Sequence, residues 1–392
     1  MMSKSGAPSP TATKAEVLDR VRAIIPKFRE RAEAAEQARR IPDESVRDML
    51  GAGLARILMP PRFGGYGLGL DTWYEVMREI SKADASHGWC AGLMIHHPHY
   101  VAQFPLAAQE AIWADGPDVS VAGSVIPQTK IVPVDGGFRV SGKSPFASGV
   151  SHSPWVFVGG MVQSDDGPEW TLFLLEPGQY TVSDTWFTAG MCATGSNTIV
   201  TENAFVPESR TVRLSSLREG AGPGGAVHED PIYRAPLIAY SPICFATPML
   251  GAVQGAYEYF RDWTRTRVAG RGVAVAELAS TQSQMARAAA SLDAAELLMR
   301  RIVETVRLPI PLELRARSMR DFSRVSELAM EAIDALMALS GSAGFTMSNP
   351  IQRAWRDLHF ASMHISLSIE TNYTYFGRME FGLPRDPHQP FY

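Results

Sequence analysis

The pattern of apolar and polar residues divides the chain into a helical part, a strand-rich part and a second helical part. From Ala15 to about Gln109, apolar residues recur at the spacing of amphipathic helices, and the stretch LMPPRFGGYGLGL between them predicts a loop. Between about Asp118 and Val212, short β-branched and aromatic runs separated by Gly, Pro and Asp predict strands. The sequence Asp135-Gly136-Gly137 predicts a hairpin turn, because consecutive glycines adopt positive φ without strain.

After Pro242 the helical pattern returns. Two apolar seams with alternating steps of three and four predict long bundle helices; they are Met285, Ala288, Leu292, Ala295, Met299 and Ile302, then Val325, Leu328, Ala332, Ala335 and Leu339. A wide seam also suits contact with a second subunit. We therefore expect an α+β, mainly α protein with an N-terminal helical domain (1–117), a middle β domain (118–216), a Gly- and Pro-rich linker or lid (217–234) and a C-terminal helical bundle (235–392).

Composition and charge narrow the class of protein. The 392 residues are 45% hydrophobic and 20% charged, as in a globular protein, and the formal charge of -4 offers no excess of cations for nucleic acid or an anionic membrane. Cys90, Cys192 and Cys244 are far apart, which predicts free thiols in a reducing compartment, by default the cytoplasm. No run approaches the roughly 20 apolar residues of a membrane helix, so we expect no membrane span.

Histidines cluster in the segment MIHHPHY, which contains His96, His97 and His99. We predict no metal site there, because no HExxH or ExxH motif accompanies the cluster and Pro98 is expected to break the helix that would direct the ligands. For His96, His99 and His359 we expect structural roles, with each buried ring hydrogen-bonded to a backbone carbonyl.

The segment GKSPFASG joins an aromatic ring, a hydroxyl and glycine at the end of a predicted strand. Phe146, Ser148 and Gly149 would offer a planar cofactor an apolar surface, a hydrogen-bonding group and close backbone approach. The alternative is an ordinary hairpin bend with Phe146 in the core.

Five motifs in order carry a resemblance that covers nearly the whole chain: GWCAGLMIHHPHYVAQFP, GSVIP, SGKSPFASGVSHSPWV, GMCATGSNTIVTENAFVP and QRAWRDLHFASMH. Together with a PxxFGG loop, they resemble the acyl-CoA dehydrogenase fold. Within that fold they resemble the oxygenase components of two-component flavin-dependent monooxygenases, such as 4-hydroxyphenylacetate and steroid-ring phenol hydroxylases.

The resemblance implies a function. Reduced FMN or FAD from a separate flavin reductase would bind between the β domain and the bundle and react with O2 to give a C4a-hydroperoxyflavin, which hydroxylates an aromatic small molecule. A phenol is the first choice of substrate, and a homotetramer is the implied assembly. The substrate's identity, the choice between FMN and FAD, and oxygenation at nitrogen or sulfur instead of carbon stay open.

The resemblance also implies catalytic residues. His97 would be the base at the substrate hydroxyl, with Ser124 as a second hydrogen-bond partner, and an imidazole suits proton transfer at neutral pH. Ser148 would lie near flavin N5. His364 would lie near the peroxide or the pyrimidine edge, where a positive or donating group stabilises anionic reduced flavin.

Further residues are implied as cofactor contacts. Phe146, Trp155 and Thr194 would line the flavin together with Ser124 and Ser148. Arg265, in DWTRTRVAGRG, would meet the flavin phosphate, whose oxygens suit a guanidinium.

Two other classes of function stay open at this point. An acyl-CoA dehydrogenase uses a carboxylate base, and Glu370 is the only carboxylate close to His364 in the late helical segment. A helical scaffold that binds a ligand without turnover is the third alternative.

Overall fold

The structure, a computed structural model, describes residues 12–164, 167–236, 239–305, 310–384 and 386. Its N-terminal part contains five helices: α1 (Lys14–Ala38), α2 (Asp43–Gly51), α3 (Leu70–Ser81), α4 (Ala85–Val101) and α5 (Leu106–Ile112). A capping box starts α1, since Thr13 and Glu16 each satisfy the other's backbone N–H. The helices predicted from the apolar spacing are confirmed, and so is the loop between α2 and α3.

Helix α4 corrects one expectation, because it continues through Pro98 to Val101. Proline removes one hydrogen-bond donor from a helix but does not force it to end when the surrounding core holds the chain in place. Nearly every side chain of α4 is buried, including Pro98 itself. Tertiary packing therefore overrides the local penalty.

The middle part is one seven-stranded sheet with the strand order β5-β6-β2-β1-β3-β4-β7. The strands are β1 (Val121–Val134), β2 (Gly137–Ala147), β3 (Trp155–Ser164), β4 (Gly167–Leu175), β5 (Thr181–Ser183), β6 (Asn197–Pro207) and β7 (Thr211–Arg213). The predicted β1–β2 hairpin is confirmed, with Gly136 at a φ of 74°. Two runs predicted as separate strands form the single long β1, whose register shifts between Ser124 and Thr129.

Strand β1 separates two hydrophobic cores. Val121 and the ring of Phe157 belong to the large core shared with the helices, whereas Ala122 and Val158 belong to a smaller core inside the β domain. Successive side chains of a strand point to opposite faces, so alternate positions of β1 and β3 face α4 and the β interior. This alternation decides which β1 residues can reach the histidines of α4.

The C-terminal part is a bundle. After a short helix α6 (Leu214–Glu219), it contains α7 (Ile243–Thr264), α8 (Ala279–Thr305), α9 (Leu312–Ser340), α10 (Pro350–Ala361) and α11 (Ile369–Glu380). The two predicted apolar seams fall on α8 and α9, which confirms the long bundle helices. By length and composition the segment Leu312–Phe345 could cross a membrane, but it contributes Phe322, Val325 and Ala329 to the large core.

The segment predicted as a linker or lid is held against the end of α4. Its Tyr233 is buried, and the Tyr233 carbonyl accepts a hydrogen bond from the side chain of Gln103. His228 is 2.9 Å from the Gln109 amide oxygen. The Gly- and Pro-rich composition suggested a flexible connector; these buried polar contacts instead fix the segment to the N-terminal helices.

Candidate active site

Helix α4 forms one wall of a cleft between the helices and the β domain. Trp89 and His97 lie on this helix eight residues apart, about 12 Å along its axis at 1.5 Å per residue. Between them lie cleft-lining residues of α4, opposite the start of β1 and the loop after β2. The lining comprises Ile41, Val46, Cys90, Leu93, Met94, Ser120, Val121, Ser148, Gly149, His152 and Ser153.

The cleft has an empty volume of about 270 Å³, part of which is open to solvent. Ser148 lies on its wall, and Val121 connects that wall to His97. The sequence therefore brings the predicted flavin-side serine and the predicted base to one region of the fold.

His97 has a defined tautomer. Its Nδ1 lies 2.6 Å from the backbone oxygen of Val121, and a carbonyl oxygen only accepts, so Nδ1 carries the proton. In the neutral ring Nε2 then has a free lone pair, and the structure records no hydrogen bond to it among the described residues. The edges of the Phe157 and Tyr100 rings pack at centroid distances of 5.0 and 6.0 Å.

Burial controls the charge of His97. The side chain is almost fully buried, and loss of hydration lowers its pKa to about 4, although the Val121 carbonyl opposes the shift. At neutral pH the ring is therefore uncharged and Nε2 is able to accept a proton. An unprotonated nitrogen with a free lone pair is the first requirement of a general base, although a base of such low pKa takes up a proton less readily than an ordinary histidine.

The neighbouring histidines have other partners. His99 contacts the Ile232 carbonyl at 2.9 Å and the Tyr240 hydroxyl, which confirms the expected bond of a buried ring. His359 makes the expected contact with a backbone carbonyl, that of Trp355 at 2.8 Å, but its ring is partly exposed instead of buried. For His96 the expectation is wrong. Its ring stacks on Trp73 at 4.7 Å, and its buried Nε2 has no hydrogen-bond partner among the residues described. Within the described ranges no group of three His, Cys, Asp or Glu side chains could hold a metal ion.

Ser148 lies in a row of polar side chains. Its Oγ accepts a hydrogen bond from Trp89 Nε1 at 3.2 Å and lies 2.7 Å from Ser196 Oγ. Ser196 Oγ lies 2.7 Å from Thr194 Oγ1, which donates to the Met191 carbonyl at 2.8 Å. Ser148 is thus joined to Thr194 and Ser196, which lie on a different segment of the β domain.

The turn before Ser148 is strained. Phe146 has a φ of 63°, a conformation costly for a residue with a bulky side chain, and Ser148 N donates to its carbonyl at 3.1 Å. The Phe146 side chain is 58% exposed and meets the Trp186 ring edge-on. The alternative in which Phe146 packs in the core is therefore wrong. The next glycine, Gly149, also has positive φ and open space where a Cβ would project.

His364 faces the same region from the bundle. Its ring stacks on Phe245 at a centroid distance of 3.6 Å and meets the Trp89 ring edge-on at 5.7 Å. Nδ1 accepts a hydrogen bond from Ser366 N at 3.2 Å, so the neutral ring carries its proton on Nε2. Burial lowers the pKa of His364 to about 4, which makes the ring a neutral donor at physiological pH, not a cation.

Ser124 lies on the other side of β1 from His97. By alternation it shares the face of Ala122, and its partner on β3, Val158, belongs to the β-domain core. Its Oγ is buried without a hydrogen-bond partner among the described residues. Among the described residues, the structure records no direct hydrogen bond between Ser124 and His97.

Two other predicted cofactor contacts, Arg265 and Trp155, have among the described residues no recorded contact with the polar row that contains Ser148. Arg265 lies at the end of α7 with a side chain that is 69% exposed and paired with Asp262 at 3.3 Å. Trp155 begins β3 opposite Val121, and the guanidinium of Arg210 lies 5.2 Å from its ring centroid. No contact of either residue with Ser148 is recorded in the described ranges.

The sequence does not indicate two buried carboxyl groups, one of which contacts Met191 at the end of the polar row that starts at Ser148. Asp84 accepts from His87 Nδ1 at 2.7 Å, while Asp357 accepts from Met191 N at 2.6 Å. Burial, reinforced by the nearby Asp84 carboxylate, raises the pKa of Asp357 to about 8. Asp84 is recognisable in the sequence as a helix N-cap. Asp357 lies 273 positions later, and no local sequence pattern indicates that the two carboxyl groups are close in the fold.

Comparison with known proteins agrees with this architecture. The family model for the acyl-CoA dehydrogenase N-terminal domain matches residues 11–114, and the model for the C-terminal domain of that family matches residues 243–369. The flavin-dependent monooxygenase oxygenase subunit HsaA of Mycobacterium tuberculosis is 33% identical over 377 residues, covering 94% of this chain and 96% of the relative. The fold is thus that of the acyl-CoA dehydrogenases.

Two further relatives narrow the class. The oxygenase component of the FADH2-dependent resorcinol hydroxylase of a Rhizobium species is 34% identical and covers 98% of both chains. The solved structure of XiaF from a Streptomyces species, in complex with FADH2 and glycerol, has a TM-score of 0.89 at 29% identity and covers 96% of this chain and 97% of its own. The chain belongs to the family of oxygenase components of flavin-dependent monooxygenases, which confirms the resemblance seen in the motifs.

Proposed function

We propose that this protein hydroxylates a phenol or a related aromatic small molecule, using O2 and reduced flavin delivered by a separate reductase. The observation that carries the proposal is the tautomer of His97. Its proton is held by the Val121 carbonyl, so the free Nε2 lone pair can take the proton of a substrate hydroxyl. Relatives named as hydroxylases of resorcinol and p-hydroxyphenylacetate support an aromatic substrate.

The residues near Ser148 fit a reduced flavin. Ser148 and His364, which both contact Trp89, provide a polar oxygen and a ring N–H, and Phe146 provides an exposed aromatic surface. The open space at Gly149 permits close approach of a planar ring. When bound, reduced flavin supplies the activation of oxygen. We propose Ser148 at flavin N5 and His364 at the pyrimidine edge.

The protein's own part is to position groups, exclude water and move one proton. Val121 orients His97, and the apolar rings of Phe157 and Tyr100 limit access of water to it. Removal of the phenolic proton by His97 Nε2 makes the substrate ring more electron-rich. A dry site also limits the loss of activated oxygen as hydrogen peroxide before it reaches the substrate.

The remaining predicted contacts keep weaker support. We retain Ser124 as a hydrogen-bonding group for flavin or substrate because its buried hydroxyl is unpaired in the described structure. Thr194 reaches the flavin region through Ser196. For Arg265 and Trp155 we propose contacts with the flavin phosphate and the flavin, respectively, supported by the motif resemblance alone.

An assembly of several copies fits the distribution of exposed apolar side chains. Phe187, Met363, Ile365 and Phe381 are each more than half exposed, and such side chains are common at interfaces between subunits. We propose a homo-oligomer, with a tetramer as the specific expectation from the family. Light scattering on the purified protein tests this: a mass near 43 kDa, that of one chain, would contradict it.

We also propose that the protein works in the cytoplasm. All of its cysteines are free and buried, as expected for a protein without structural disulfides in a reducing compartment. The alternative dehydrogenase activity loses its main support, because Glu370, its candidate base, is exposed at the start of α11.

The proposed activity is tested with a flavin reductase, NADH, O2, FAD or FMN, and a panel of phenols, indoles, amines and thioethers. We expect a product heavier by one oxygen atom from phenols, and its loss in His97→Asn. His359→Asn is the matched control, because it changes a partly exposed histidine bonded to a backbone carbonyl elsewhere in the fold. Turnover of only amines or thioethers, or full phenol turnover by His97→Asn, would refute the phenol proposal.

A further inference from the structure

The hydroxyl groups beside Ser148 have fixed hydrogen-bond directions. Thr194 Oγ1 lies 2.8 Å from the Met191 carbonyl oxygen, which has no hydrogen to donate, so the Thr194 hydroxyl must donate there. A hydroxyl has only one proton. In its 2.7 Å contact with Ser196, Thr194 must therefore accept, and Ser196 must donate.

The same argument fixes Ser148. Because the Ser196 proton points to Thr194, the 2.7 Å contact between Ser148 and Ser196 requires Ser148 to donate. Trp89 Nε1, which only donates, occupies one Ser148 lone pair at 3.2 Å. The hydroxyl proton of Ser148 is thus used inside the protein. What remains for a ligand is its second lone pair.

We propose that Thr194 and Ser196 are positioning residues that make Ser148 a hydrogen-bond acceptor and thereby select the reduced flavin over the oxidised one. This inference rests on the proposed placement of flavin N5 at Ser148. Reduced flavin carries a hydrogen on N5 and can donate it to Ser148. Oxidised flavin has a bare N5 lone pair, which would face the lone pair of Ser148 without a proton between them.

The end of the hydroxyl row is held rigidly. Met191 has a φ of 54°, its N–H donates to Asp357 at 2.6 Å, and its carbonyl also accepts from Trp186 Nε1 at 3.0 Å. Next to it, Arg356 Nη1 donates to the Ala189 carbonyl at 2.7 Å. Helix α10 therefore fixes the carbonyl that sets every proton direction in the row.

Selection between redox states is measurable by binding alone. Dissociation constants are determined by fluorescence or ultrafiltration, for FAD and separately for FMN. Each flavin is measured in its oxidised form in air-saturated buffer and in its reduced form, prepared with dithionite, in the absence of oxygen. In Thr194→Val, Ser196 loses its acceptor, so its proton can turn toward Ser148 and release the Ser148 proton toward the ligand. We expect the preference for reduced flavin to fall about fivefold, as for one hydrogen bond of about 1 kcal/mol.

Four further variants separate orientation from structure. Thr194→Ser keeps the hydroxyl and should restore the wild-type preference. Thr198→Val is the matched control, because Thr198 is buried two residues beyond Ser196 but bonds Thr185, outside the row. Ser148→Ala should lose the preference, and Thr194→Val added to Ser148→Ala should have no further effect, since the row acts only through Ser148.

Each outcome decides a different claim. If Ser148→Ala reduces the preference but Thr194→Val does not, the inference about orientation is wrong while Ser148 still contacts N5. If Thr194→Val reduces it equally with and without Ser148, the effect is a general loss of packing and the inference is again wrong. If Ser148→Ala keeps the full preference, the placement of N5 falls as well. The phenol assay with His97→Asn tests the proposed function independently of all three.

Discussion

Protonation of His97 inside the fold should be costly enough to measure. Burial lowers its pKa from 6.5 to about 4, and this difference of about 2.5 units corresponds to about 3.4 kcal/mol. Because the folded-state pKa is the lower one, the stability linked to His97 is complete above pH 6.5. It is lost progressively as the pH falls through 6.5 toward 4.

The expected size at an accessible pH follows from the same two values. At pH 5 the unfolded state has mostly protonated this imidazole while the folded state has not, which lowers the free energy of unfolding by about 2 kcal/mol relative to pH 8. His97→Asn removes the titrating group. The Asn amide can still donate to the Val121 carbonyl, so local structure should be kept.

Urea denaturation of wild type and His97→Asn at pH 8 and pH 5 measures the contribution of His97 to the free energy of unfolding. Other buried histidines, such as His99, titrate in both proteins and cancel in the comparison. We expect wild type to lose about 2 kcal/mol more than His97→Asn between the two pH values. An equal loss in wild type and His97→Asn would refute the neutral, buried state on which the proposed base depends.

The same pKa shift predicts the pH dependence of turnover. A free base with an ordinary histidine pKa would lose activity below pH 6.5, whereas His97 should stay unprotonated to about pH 5. We therefore expect kcat/KM, measured with a neutral phenol, to be flat between pH 8 and about pH 5. An acid limb centred at pH 6.5 in the wild-type profile would contradict the assigned pKa.

Other variants test the surroundings of the site. Trp89→Phe keeps an aromatic ring but removes the N–H that Ser148 accepts, so more reduced flavin should end as hydrogen peroxide instead of product, with stability changed by about 1 kcal/mol or less. Gly190→Ala should destabilise the fold by about 2 kcal/mol in urea denaturation, since the added Cβ would meet the Arg356 carbonyl oxygen at 2.2 Å. Wild type should lose stability as the pH rises from 4 toward 8, because the pKa of Asp357 in the folded state, about 8, is higher than in the unfolded state. Asp357→Asn should not show this loss. A wild-type pH profile in Asp357→Asn would show that this carboxyl titrates normally.

Local patterns predicted the helices and strands, because their causes lie within a few residues of each other. Thr13 and Glu16 start α1 from three positions apart, and Gly136 makes the hairpin through its own positive φ. The continuation of α4 through Pro98 is different. It depends on burial of the whole helix between the bundle and the β domain, which no local window contains.

The sequence predicted members of the candidate site, whereas their geometry required the structure. Motifs pointed to His97 and Ser148, yet the Val121 carbonyl that fixes the His97 tautomer is 24 positions away. The pairing of Ser124 with His97 was expected from the motifs, but alternation along β1 turns Ser124 to the opposite face. Side-chain direction on a long strand requires the register, which composition does not provide.

The three histidines of HHPH show why position on a helix decides their chemistry. Each residue turns α4 by about 100°, so adjacent His96 and His97 point in different directions and His99 in a third. His96 meets the Trp73 ring, His99 meets Tyr240 and the Ile232 carbonyl, and His97 alone bonds the wall of the cleft through Val121. All three are neutral because all three are buried, so a low pKa does not distinguish the base. The distinction lies in what each ring contacts: of the three, only the His97 ring bonds a carbonyl on the cleft wall, and this contact is the basis for proposing His97 as the base.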